Sequence, residues 1–127
     1  MHAPVSRKPT VILVDDDAAL RTALKFNLEV EGFEVETCES GEAFLLRPAH
    51  PGPSCVILDY NLPGATGLET LHQLRQRGDD TPALIITSNP PLTLRDAVRE
   101  TTGARLVEKP LLGDALLGSI RELLAEN

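Results

Sequence analysis

The chain has 127 residues, enough for one domain with a real core. Its formal net charge is −7, from 19 acidic against 12 basic side chains, which argues against nucleic acid, whose binders carry basic patches, and against anionic membrane surfaces. No stretch approaches the roughly 20 consecutive apolar residues that span a bilayer, and Met1 to Pro9 lack the apolar region of a signal peptide.

Residues 1–8 are expected to form a disordered lead to a single domain over 9–127. The chain then alternates strand-like and helix-like segments, without internal repeats or low-complexity tracts. The first strand is expected over 10–15, where Val11-Ile12-Leu13-Val14 runs straight into Asp15-Asp16-Asp17. A short apolar run with a sharp change of polarity at its end reads as a buried strand. Three acids there crowd like charge at one edge of a sheet. Solvation or a cation can relieve that, and hard divalent ions such as Mg²⁺ take carboxylate oxygens while keeping several waters. Asp17 is placed to cap the helix that follows. Leu20, Leu24 and Leu28 recur every four residues, with Ala23 and Phe26 nearby, and Gly32 stops that helix.

The second strand is expected over 33–38. Ser40 then caps a short helix that ends before Pro48. A third strand, 54–59, ends in Asp59. Thr66-Gly67-Leu68-Glu69 is a capping-box pattern opening a helix through Leu68, Leu71 and Leu74. The fourth strand, 83–88, ends in Thr87 and Ser88. Asn89-Pro90-Pro91 precedes a helix through Leu94, Ala97 and Val98, closed by Gly103. The fifth strand, 104–109, ends in Glu108-Lys109, followed by Pro110. The last helix is expected from about residue 113 to 125. Leu112, Leu116, Leu117, Ile120, Leu123 and Leu124 give it a wide apolar face. Most of that face is core, and Leu117 and Leu124 at its margin are the residues to watch for a homodimer or kinase contact. Cys38 and Cys55 lack CxxC spacing and read as buried free thiols of a reducing, cytoplasmic compartment.

Five strands alternating with five helices define an α/β fold: a doubly wound, five-stranded parallel sheet with helices on both faces. Ligands of such sheets bind beyond the carboxyl ends of the strands, at the switch in strand order. The polar groups expected on that rim are Asp15, Asp16, Asp59, Thr87 or Ser88, and Lys109. Two carboxylates can hold Mg²⁺ while a third attacks phosphorus. Lys109 supplies a point charge to a phosphoryl oxygen, and a hydroxyl donates to another.

The stretches VILVDDD, VILDYNLPGATGLE, LIITS and LVEKP stand in order at these strand ends. With them the chain resembles, over about residues 9–125, the receiver domain of two-component response regulators, including the single-domain chemotaxis type. The resemblance implies a flavodoxin-like fold and Mg²⁺-dependent transfer of a phosphoryl group from a histidine kinase or phosphotransfer protein. It makes Asp59 the phosphoacceptor and Asp15 and Asp16 the acidic metal pair. Asn61 is the residue whose backbone carbonyl completes the metal shell, Thr87 the switch hydroxyl and Lys109 the family's lysine. It also implies a cis Lys109–Pro110 bond.

Two departures stand out. Leu106 lies where receivers carry an aromatic three residues before the lysine, and Pro90-Pro91 stiffen the loop after Thr87. No output domain is visible after Asn127, and Met1 favours a stand-alone regulator over an excised receiver. Within the phospho-signalling class, an intermediate phosphotransfer shuttle is the alternative. Outside it, a flavodoxin-like nucleotide or flavin binder shares the fold, but three acids after the first strand repel a phosphate and no aromatic pair is present to sandwich a flavin. A hydrolytic phosphatase wants an acid two positions after the nucleophile, and Asn61 stands there.

Overall fold

The computed structural model describes residues 8–49, 52–109 and 115–125. Five strands, β1 (Thr10–Val14), β2 (Glu34–Cys38), β3 (Ser54–Asp59), β4 (Ala83–Thr87) and β5 (Ala104–Glu108), pair in parallel in the order β2-β1-β3-β4-β5. The three inner strands are buried along their whole lengths, which is why they read as nearly unbroken runs of Val, Ile and Leu. The outer two differ. β2 exposes Glu34, β5 is only half-buried, and charged side chains on such edges oppose pairing with another chain.

Each helix starts where local chemistry satisfies its first amides. Asp17 accepts from Leu20 N at 3.1 Å to open α1 (Ala18–Val30). Ser40 accepts from Ala43 N at 3.0 Å to open α2 (Gly41–Leu45). Thr66 and Glu69 form the reciprocal capping box of α3 (Gly67–Gln76). α4 (Leu92–Arg99) has no side-chain cap; it starts at Pro91, whose fixed φ sets the entry. α1 gives way to Gly32 at φ +97°, where a left-handed residue ends the turn. The last helix, α5, is described over Ala115–Ala125. Its expected start near 113, Leu112 and the expected cis Lys109–Pro110 bond lie outside the described residues.

The helices cover both faces of the sheet. On one face Ile12, Val14, Val56, Leu58 and Ile85 meet Phe44 and Leu45 of α2, Leu71 and Leu74 of α3, and Leu94 and Val98 of α4. On the other, Val11, Leu13, Ile57, Leu84 and Ile86 meet Leu24 and Leu28 of α1 and Leu116, Ile120 and Leu123 of α5. Cys38 and Cys55 are free, buried and on opposite faces. Leu117 and Leu124 pack half-buried against the second cluster.

The expected elements form, with three differences. Asp15, Ser88 and Lys109 lie one residue beyond their strands, in the turns of the carboxyl rim, because the hydrogen-bond ladders stop at Val14, Thr87 and Glu108. Phe33 precedes β2 but is buried. Phe26 and Ala23 do not join the leucine stripe of α1. Phe26 is 67% exposed, since it sits two residues, about 200° of helical rotation, from Leu24. Among the described residues no helix is long and apolar enough to cross a membrane.

Ile120 is fully buried between α5 and the sheet, whereas Leu124 sits at the margin. Ile120→Ala should cost about 2–5 kcal/mol and Leu124→Ala clearly less, read by equilibrium denaturation. Equal losses would show that the α5 margin is as tightly packed as its centre.

Candidate functional site

The sheet order places the site. β1 and β3 are neighbours, and the chain leaves them in opposite directions, so the switch in strand order falls between their carboxyl ends. Val14 pairs with Leu58, so Asp15 and Asp59 follow side by side. Asp59 pairs onward with Ile86 and Thr87 with Glu108, which brings Thr87 and Lys109 to the same rim. Lys109 N donates to Thr87 O at 2.8 Å and fixes that corner. One carboxylate oxygen from each of Asp15, Asp16 and Asp59 lies within 4.8 Å of the others. Lys109 Nζ stands 3.3 Å from Asp59 Oδ2.

Burial grades these groups. Asp15 is 3% exposed, Asp59 4% and Thr87 2%, whereas Asp16 and Asn61 are exposed and Lys109 is half-buried. Ser88 is exposed, which leaves Thr87 as the buried hydroxyl of that strand end. Backbone amides restrain both buried carboxylates: Asp17 N donates to Asp15 Oδ1 at 2.9 Å, and Asn61 N to Asp59 Oδ1 at 3.0 Å. Burial pushes the Asp15 carboxyl up to about 6, with the charge of Asp59 adding to the rise and the Asp17 amide and Lys109 opposing it. Asp15 Oδ2 is buried with no hydrogen-bond partner. An orphaned carboxylate oxygen beside two further carboxylates is a donor set that fits a hard divalent cation.

The structure brings together Asp15, Asp16, Asp59 and Lys109, with Thr87 at the adjoining end of β4. Asn61 enters through its amide. Leu106 stays outside, half-buried opposite Ile85 and packed on the α2–α4 face. Several supporting residues had no sequence signal. Glu42 of α2 accepts from Ala65 N at 3.0 Å and so ties α2 to the loop after Asp59; that hydrogen bond holds its carboxyl below the usual range. Arg95 of α4 pairs with Glu108, next to Lys109. Arg21 of α1 donates to the carbonyl of Asp15 at 2.5 Å. Gly67 admits the close approach of α3: a Cβ there would stand 2.5 Å from the carbonyl oxygen of Asp59.

Residues 11–121 match the family described as the response regulator receiver domain. The chain is 33% identical over 122 residues to the C4-dicarboxylate transport transcriptional regulatory protein DctD of Pseudomonas aeruginosa, covering 96% of this chain and 26% of that protein. It is 35% identical over 114 residues to the response regulator MprA of Mycolicibacterium vanbaalenii, covering 90% and 49%. The solved structure of the response regulator StyR superposes with a TM-score of 0.84 at 36% identity, covering 95% of this chain and 61% of that one. The chain therefore belongs to the receiver-domain family of two-component response regulators, whose general function is switching by phosphorylation of an aspartate. It spans about a quarter to a half of the length of these curated relatives.

Two outcomes follow from the site. Gly67→Ala must displace either α3 or the Asp59 carbonyl; it should cost about 1–3 kcal/mol and weaken Mg²⁺ uptake, measured by denaturation and calorimetric titration. Retention of both would show that the α3 contact does not set the Asp59 loop. The second concerns pH. The folded-state value of Asp15 lies above the unfolded one, so the fold binds the extra proton. Its contribution to stability is present below about pH 4 and is lost as pH rises through about 6. The metal-free melting temperature should fall over that window, and the gain from added Mg²⁺ should be larger at about pH 7.5 than at about pH 5. Equal gains would exclude Asp15 as the titrating ligand.

Proposed function

We propose that this chain accepts a phosphoryl group on Asp59 from a phosphohistidine of a histidine kinase or phosphotransfer protein, in the cytoplasm, with residues 9–127 acting as the receiver unit. The observation that carries this reading is the position of the Asp59 carboxylate. It ends a central strand, lies within 4.8 Å of oxygens of Asp15 and Asp16, and faces Lys109 Nζ at 3.3 Å. In the transfer an Asp59 carboxylate oxygen bonds to phosphorus while the phosphorus–nitrogen bond of the donor breaks. The donor imidazole keeps that electron pair and takes up a proton.

The residues around Asp59 supply positioning and charge, which is most of what phosphoryl transfer needs. Lys109 is placed to move its ammonium from the carboxylate to a phosphoryl oxygen. The Thr87 hydroxyl donates to a second, and the switch follows from the shift of Thr87 at the end of β4. Asp15, Asp16, Asp59 and the carbonyl of Asn61 would hold Mg²⁺, which offsets negative charge on the phosphoryl oxygens when bound. The same groups assist the attack of water that later removes the phosphoryl group, so the domain takes part in its own phosphorylation and dephosphorylation.

Incubation of the purified chain with Mg²⁺ and a small acyl phosphate should add the mass of one phosphoryl group. Asp59→Asn should abolish the gain, and Lys109→Ala should slow it by at least about tenfold, the scale of one lost electrostatic contact to the transition state. A gain of mass on an aspartate of the Asp59→Asn variant would move the acceptor elsewhere.

A further inference from the structure

The turn Asp15–Asp17 carries two members of the acidic cluster and the cap of α1, yet little of the sheet holds it. Asp15 N donates to Cys38 O at 3.1 Å, and β2 ends at Cys38. The carbonyl of Asp15 is therefore beyond the last paired residues of the strand. Within the turn, Asp15 Oδ1 accepts from Asp17 N, and Asp17 Oδ1 accepts from Leu20 N. Both contacts are made by the acids themselves. From outside, the Asp15 carbonyl is taken by the Arg21 guanidinium at 2.5 Å. Arg21 is itself fixed in the first turns of α1, where its amide donates to Asp17 O at 3.0 Å. Its side chain thus returns to the segment its own helix starts from.

We propose that Arg21 is a positioning residue for the divalent cation: its hydrogen bond to the Asp15 carbonyl holds the β1–α1 turn so that the carboxylates of Asp15 and Asp16 converge with that of Asp59. A donor that fixes a ligand from behind typically changes metal affinity about 10–100-fold when removed. This inference rests on the reading of the acidic cluster as a Mg²⁺ site.

Charge alone predicts the opposite sign. Arg21 is a cation beside a cation site, so removing its charge should tighten Mg²⁺ binding by relieving repulsion. Removing a clamp should loosen it. Arg21→Gln deletes the charge and the guanidinium fork together, and the sign of the change separates the two effects. Arg21 is half-exposed on the surface of α1, so the substitution opens no cavity in the core.

The test is a calorimetric Mg²⁺ titration of the metal-free full chain, with hydrogen exchange of the Asp17 amide followed by NMR. Arg21→Gln should raise the Kd for Mg²⁺ about tenfold and speed exchange at Asp17, with little change in melting temperature. Arg21→Lys, which keeps a donor and the charge, should fall between Arg21→Gln and the unaltered chain in both readouts. An unchanged or lower Kd in Arg21→Gln overturns the role of Arg21. Should that variant not fold, unchanged Asp17 exchange in Arg21→Lys overturns it instead, and faster exchange supports it. Failure of the unaltered chain to take up Mg²⁺ would overturn the metal-site reading itself, a result distinct from either.

Discussion

Three carboxylates held within 4.8 Å of one another set the terms for the rest of the molecule. Two unit charges at that separation repel by about 3.5 kcal/mol at an effective dielectric near 20. The whole net stability of a domain is only about 5–15 kcal/mol, so this crowding is not a minor surface cost. The sheet cannot relieve it by sliding. β1 and β3 are buried on both faces, and a one-residue slip would exchange every side chain between the α2–α4 face and the α1–α5 face. The repulsion is answered locally instead, by Lys109, by the amides of Asp17 and Asn61, and by the solvent around Asp16.

The cation that answers it follows an edge strand. β5 is an edge strand, half-buried up to its exposed last residue, Glu108, yet its end touches three other elements. Lys109 reaches Asp59 on β3, its amide binds Thr87 on β4, and Glu108 pairs with Arg95 on α4. An exposed ion pair of that kind contributes little stability. Its geometric consequence is larger: the same two consecutive residues, Glu108 and Lys109, join the acidic site to the outer helix. Leu106, where an aromatic would be expected, is a packing residue opposite Ile85. In this chain a charged pair, Arg95–Glu108, stands beside Lys109 and adds to the apolar packing of α4 on the sheet.

The sequence was most legible where one residue type answers one local need. Apolar runs marked the strands because inner parallel strands are covered on both faces. Ser40, Asp17 and Thr66-Glu69 marked helix starts because each satisfies amides a few residues ahead. The strand-end acids followed once the fold class was set. Contacts made across long sequence separations were not legible. Glu42 meets Ala65 across 23 residues, and the Arg95–Glu108 pair needs the packing of α4 on β5. Arg21 was hidden for a different reason. An arginine four positions after a cap looks like ordinary helix surface, and only the early end of β2 leaves a carbonyl for it to take.

The run Asp15-Asp16-Asp17 shows how far residue type underdetermines role. Three identical side chains in a row have three environments, and the backbone turn between β1 and α1 assigns them. Asp15 follows the strand direction into the interior, is almost wholly buried, and keeps one oxygen without a partner. Asp16 is exposed and still brings an oxygen into the cluster. Asp17 adopts extended backbone angles, φ −83° and ψ 104°, and turns its carboxylate to the start of α1. Shifting the turn by one residue would bury the cap and expose the carboxylate that now lies inside. The chemistry of the site thus depends on a backbone conformation that no carboxylate in it can enforce alone, because each one gains from leaving the other two.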